Sequence, residues 1–286
     1  MNQFQIITDS CSDLSPEMVR ELRLHMIPMS IEYQGKSFLE GEIPMQEIYG
    51  GLRSGESART AAINPETWET AMEPSLEEGT DVLVIAFSSG LSSTYQSAVI
   101  AGEELRDRYP DRKIRVVDSL CASMGQGLLV WYAAKQRDEG RSIDEVTDWV
   151  EHHKLNLCHW FTVDDLMFLK RGGRISGATA VMGTMLQIKP VLHVDNEGKL
   201  ISMSKARGRR AALQALVDKL QKTGLPGENE TVFLSHGDCL EDARFVEQQL
   251  KERCGVKNVV INYIGSVIGS HSGPGTVALF FLGTHR

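Results

Sequence analysis

The sequence predicts an α/β protein: a parallel-sheet, three-layer domain followed by a second αβ domain on a mixed sheet. Three observations predict it. Apolar runs alternate with amphipathic stretches along the 286 residues. The runs DVLVIA and IRVVD are apolar almost throughout, as strands covered on both faces are. After residue 154, short αβ units with hairpin-like connections point to a mixed sheet rather than a second doubly wound one. The expected division is therefore 1–154 and 155–286.

FQIIT (4–8) is the first predicted strand, left through the turn DSCSD. A helix opens at Ser15-Pro16, where a serine cap precedes a proline at the first helical position. Residues 26–33 and 36–40 flank Gln34-Gly35 and predict a hairpin. A short helix over 45–52 follows, then a polar loop to Asn64-Pro65 and a helix to about residue 77. DVLVIAFS is a buried strand, and Tyr95, Ala98, Val99, Gly102 and Leu105 fall on one face of the helix after it. IRVVD is the next strand, with helices over 122–137 and 143–153 behind it. In the second half CHWFTV, IKPVLHV and GKLISMSKA read as strands, the last feeding a helix over 209–220. Strands over 231–235 and 259–263 flank a helix over 241–253, and TVALFFL closes the chain.

Composition narrows the function. Thirty Lys and Arg against 38 Asp and Glu give a formal charge of −8, which argues against a general nucleic-acid binder. No apolar run approaches the ~20 residues that span a bilayer, and MNQFQIITDS lacks a secretory signal's basic start and apolar middle, so a cytoplasmic protein is expected. The five cysteines are scattered without zinc-ligand spacing and read as reduced thiols; neither metal nor cofactor is expected.

Ligands of parallel sheets bind at the carboxyl ends of strands, and three such ends here are unusually polar: TDSCSD, FSSGLSST and VDSLCAS. In FSSGLSST five hydroxyls crowd one turn before a helix. One would serve as a cap, and free amides with a helix dipole suit a carboxylate or phosphate. Nucleotide-loop, dinucleotide and nucleophile-elbow patterns are all missing there. Thr60, in a polar loop, and His271, in the glycine-rich segment GSVIGSHSGPG, are further candidates. Cys11 and Cys121, near strand ends, lack a neighbouring histidine that would make either a nucleophile. Lys170, Arg171 and Arg174, with Lys205, Arg207, Arg209 and Arg210, form the dense basic clusters of an otherwise acidic chain.

ITDSCSD, SSGLSSTYQSA, VVDSLCASMGQGLLV, LKRGGRIS, IKPVL and IGSVIGSHSGPG, in this order, resemble the DegV family of bacterial fatty-acid-binding proteins, nearly end to end. The resemblance implies one buried long-chain fatty acid, whose carboxylate a separate fatty-acid kinase phosphorylates. The chain would then be a non-catalytic carrier, expected to be a monomer touching membranes only transiently. Thr60 matches the threonine of the family's T-S-Q-P loop, Ser92 the serine of its L-S-G-T turn, and His271 the histidine of its last glycine-rich loop. Together with Ser93 they are the implied carboxylate contacts. Arg174, of the G-G-R-I motif, is implied to face the kinase, held away from the core, and Arg171 and Arg207 join it as docking candidates. Met182, Met185, Leu186, Ile188 and Phe281, with Phe280 as its alternative, are the candidate chain-lining residues. Two departures fall beside the site: Ala61-Ala62-Ile63 replaces Ser-Gln-Pro, and Ser93 replaces a glycine. Two other readings stay open: a hydrolase with Ser92 as nucleophile and His271 as base, and a sensor of small anions or acyl phosphates.

Overall fold

The computed structural model describes residues 4–175 and 187–286. β1 (Gln5–Asp9), β2 (Leu24–Ile27), β6 (Val82–Ala86) and β7 (Ile114–Asp118) form a parallel sheet in the order β2-β1-β6-β7. Its strands are apolar on both faces because both are covered. Ile6, Leu83 and Ile85 share a core with α5 (Met124–Asp138) and α6 (Ile143–His153). Ile7, Val82, Val84 and Ala86 pack with α3 (Pro65–Glu77) and α4 (Thr94–Arg108). This is the three-layer parallel domain expected.

The second sheet is mixed, also as expected. β8 (Leu157–Thr162), β9 (Ile188–Val194), β10 (Leu200–Arg207), β11 (Thr231–His236), β12 (Asn258–Tyr263) and β13 (Val277–Leu282) run in the order β10-β9-β8-β13-β11-β12, parallel between β11 and β12 alone. Phe161, Leu192, Phe233 and Phe280 face α5, within the same core as Ile6 and Leu83. Val191, Leu234, Leu279 and Phe281 face two helices, α8 (Arg209–Thr223) and α9 (Leu240–Cys254). One apolar core thus crosses residue 154, and α5 lies between the two sheets. A helix so enclosed needs small residues at its contacts: a Cβ on Gly125 would stand 2.1 Å from His159 Nε2 and 2.8 Å from Phe280.

Residues 24–61 depart from the sequence reading. The single strand expected over 26–33 is two strands. Pro28, with no N–H to donate, ends β2, and β3 (Ser30–Tyr33) starts a separate antiparallel sheet with β4 (Lys36–Leu39). Gln34 and Gly35, both at positive φ (50° and 74°), make the tight hairpin turn. The supposed polar loop holds a third strand, β5 (Ala58–Ala61), paired to β3. α2 (Met45–Arg53) covers this small sheet, and Tyr49 donates to the Ile264 carbonyl at 2.9 Å, tying it to the second half of the chain. No described helix is long and apolar enough to cross a membrane.

Candidate functional site

Between the two sheets lies a cavity of about 290 Å³. Met29, Phe87 and Leu91 reach it from the first half of the chain, Phe161, Val194 and Phe280 from the second, and Val267 and Ile268 from α10 (Ser266–Ser272). One part of its wall is polar. There β5 supplies Thr60, the turn before α4 supplies Ser92 and Ser93, α10 supplies His271, and the segment after α7 (Met167–Arg171) supplies Arg174.

These groups are wired together. Thr60 Oγ1 and His271 Nε2 are 2.8 Å apart. Arg174 donates to the Leu91 carbonyl from Nε (3.3 Å) and Nη2 (3.1 Å), and to the Gly172 carbonyl from Nη1. Leu91 immediately precedes Ser92, so the guanidinium is anchored beside that hydroxyl. Burial and then the Arg174 charge push His271 down to about 4, so the ring is neutral at neutral pH. The cluster therefore offers hydroxyls, a neutral imidazole and one fixed cation at the rim of an apolar space. Such a set suits a desolvated carboxylate, which needs both charge compensation and hydrogen bonds.

Short helix α10 is itself positioned by acids. Glu40 accepts from Val267 N (2.9 Å) and Ser266 Oγ (3.0 Å), and Asp13 from Gly265 N (2.9 Å). Burial raises both carboxyls, Asp13 well above its usual range. Asp13 also bonds Ser123, which sits on the cavity wall at a positive φ of 55°.

The structure brings Thr60, Ser92, Ser93 and His271 to one cavity, as the sequence reading expected. It differs on four other points. Arg174 is not held away from the core: it lines the cavity, because the tight Gly172-Gly173 turn folds its side chain back onto two carbonyls. His271 lies on a helix rather than a loop, since the glycines punctuate the ends of α10. Phe281 points to α8 and α9, and its neighbour Phe280 takes the cavity position, as strand alternation requires. Ile188 begins β9, paired with Arg207, and is absent from the cavity wall. Met182, Met185 and Leu186 lie outside the described residues. Arg171 and Arg207 are exposed.

Among the other polar strand ends, Ser88 donates to the Gly198 carbonyl (2.8 Å) and pins the β9–β10 turn, while Ser92 accepts from Thr94 N (3.2 Å), so it caps as well as lines. Ser92 Oγ is 2.8 Å from Thr94 Oγ1 and His271 Nε2 bonds Thr60, so the geometry has no Ser92–His271 pair. Burial raises the Cys11 thiol and pushes Cys121 up to about 11, so both are protonated at neutral pH. Sequence reasoning missed Ser272, whose buried Oγ lines the cavity with no hydrogen-bond partner among the described residues. Its place beside His271 was the available signal. Among the described residues no cluster of His, Cys, Asp and Glu could hold a metal.

The fold and this site define an α/β protein with a buried amphipathic cavity between two sheets. The chain belongs to the DegV family: the model described as "Uncharacterised protein, DegV family" matches residues 3–284. A DegV domain-containing protein of Clostridium perfringens is 43% identical, over 99% of this chain and 98% of its own. A DegV family protein of Thermus thermophilus, solved and described as fatty-acid binding, is 30% identical with a TM-score of 0.88, over 98% of this chain and 99% of its own. A fatty-acid-binding DegV protein of Streptococcus agalactiae is 26% identical with a TM-score of 0.87, over the whole of both chains.

Proposed function

We propose that this protein binds one long-chain fatty acid and presents its carboxylate to a separate kinase. The observation that carries the reading is a largely apolar cavity with a polar part of its wall that gathers Thr60, Ser92, His271 and Arg174. A saturated chain of about 15 methylenes at roughly 0.8 kcal/mol each supplies on the order of 12 kcal/mol before ordering costs. Hydrogen bonds to the charged head add roughly 1.5–3 kcal/mol each and fix its direction. The fatty-acid binding described for the relatives from Thermus thermophilus and Streptococcus agalactiae supports the same ligand here. Ser93 and Ala62, at the two departures from the family pattern, both stand on the cavity wall, where they tune the fit of the head and first methylenes.

Arg174 is part of the head-group cradle in this reading, and docking of the kinase falls to exposed Arg171 and Arg207. The chain is a carrier and needs no cofactor of its own. Organic extraction of freshly purified protein followed by mass spectrometry tests the ligand. One acyl chain per protein is expected, and delipidated protein should take up palmitate at 1:1. An absence of both would refute the reading. Acyl-phosphate formation on adding a fatty-acid kinase and a nucleoside triphosphate tests the presentation.

A further inference from the structure

Thr60, Arg174 and His271 have a second side. Besides the cavity, they line an outer groove of about 440 Å³ that opens next to it. Three arginines line this groove: Arg59, Arg171 and Arg174. Its one carboxylate, Glu56, is engaged, accepting from the Tyr33 hydroxyl and from Gln34 Nε2 at 3.0 Å. Arg171 stacks over the Phe168 ring at 4.6 Å and, among the described residues, forms no ion pair with a carboxylate. Arg59 is exposed and, among the described residues, forms no side-chain hydrogen bond or ion pair, although Glu32 is its cross-strand neighbour. Arg108, Arg209 and Arg253, by contrast, are all paired to acids. On a chain of net charge −8, a groove with three arginines and one occupied carboxylate is a local inversion of sign.

We propose that this groove is a phosphate-type anion site that holds the phosphoryl group once it is attached to the buried acid's carboxyl oxygen. The proposal rests on the fatty-acid reading above. An acyl phosphate bound with its chain in the cavity has its carbonyl at the polar wall. Its phosphoryl dianion cannot enter the apolar interior without a desolvation cost that nothing there offsets. The outer groove shares three residues with that wall and adjoins it. Guanidiniums match phosphate oxygens with paired hydrogen bonds, which a carboxylate at the wall is too deep to collect from Arg59 or Arg171. The protein would then hold the product by contacts the substrate lacks.

The test compares two probes on the delipidated full-length chain: palmitate, and 2-oxoheptadecylphosphonate, a non-hydrolysable analogue of palmitoyl phosphate. Titration calorimetry is run on the wild type, Arg59→Gln and Arg59→Gln/Arg171→Gln. Each lost charged contact is expected to weaken the phosphonate roughly 10-fold, leaving palmitate within about twofold. Phosphonate binding should also weaken more steeply with salt than palmitate binding. Equal losses for both probes, or no loss for the phosphonate, would overturn the proposal while leaving the fatty-acid reading intact. A wild-type protein that takes up neither probe sinks both.

Discussion

Gly172→Ala displaces His271 without replacing it. Gly172 has φ −72° and ψ −8°, a conformation alanine adopts freely, so the backbone itself is unstrained by the change. The added methyl, however, would stand 2.2 Å from His271 Nδ1, whereas ordinary contact begins near 3.4 Å. The ring must therefore move by about 1.2 Å. It cannot slide straight back, because Nε2 on its far side is only 2.8 Å from Thr60 Oγ1. It has to swing out, and the Thr60 bond goes with it. That bond is worth roughly 0.5–1.5 kcal/mol to the fold, and the reduced backbone freedom of the unfolded alanine chain returns about 0.4–1 kcal/mol. Thermal stability without ligand should thus change little. Head-group affinity should not escape: losing a hydrogen bond to a charged carboxylate costs roughly 1.5–3 kcal/mol, or about 10- to 150-fold in Kd. Calorimetric titration of delipidated protein with palmitate reads the affinity, and a thermal melt reads the fold. A Kd within twofold of wild type, with the melt unchanged, would falsify the placement of His271 at the head group.

Thr60→Val with Ser92→Ala should raise the palmitate Kd at least tenfold with the protein still folded, and an unchanged Kd would move the cradle elsewhere. Phe280→Ala and Phe281→Ala, both nearly inaccessible, should each cost roughly 3–5 kcal/mol of stability in denaturant melts. Only the Phe280 change should alter chain-length preference, so equal ligand effects would undo the assignment of sheet faces. Arg207→Glu should leave palmitate affinity intact yet slow acyl-phosphate formation with added kinase, most at low salt; an effect on lipid binding instead would contradict the docking role. Burial raises Asp9 to about 6 and Asp13 well above its usual range. Unfolded carboxyls ionise near pH 4, so from there upward the unfolded state binds fewer protons and stability falls as pH rises, through about 6 for Asp9 and beyond it for Asp13. His271 and His193, both pushed down to about 4, act in the opposite direction as pH falls below about 6.5. Asp13→Asn leaves those histidines alone and removes a carboxyl that the fold keeps protonated, so it should flatten the decline in melting temperature between pH 5 and 8; an unchanged slope would mean Asp13 is already ionised in the fold over that range, as it is unfolded.

Most of the fold was legible because burial writes itself into strands. Val82–Ala86 must be apolar at every position once helices cover both faces, and Phe280 and Phe281 are both apolar for the same reason. That same redundancy hid which phenylalanine faces the cavity: a fully buried strand carries no alternation from which to read its phase. β5 was illegible for the converse reason. Ala58–Ala61 is a four-residue partner at a sheet edge, held by backbone pairing to β3, and its side chains carry no pattern of their own. Pro28 did signal a break, yet nothing local says that the chain on either side joins different sheets.

The site divides along the same line. Thr60, Ser92 and His271 could be picked out because hydroxyls and a histidine among glycines are unusual beside apolar runs. Arg174 shows the limit of that signal. Its sequence context, a basic run at a glycine turn, describes an exposed cation equally well. What places it inside is the direction in which the turn sends the side chain, fixed by the carbonyls of Leu91 and Gly172, one of them 83 residues away. A cation that belongs to a cavity is distinguished from one on the surface only by such distant acceptors. For a carboxylate ligand that distinction decides function: the same guanidinium would steer a partner from outside, but inside it compensates the charge that the apolar cavity would otherwise reject.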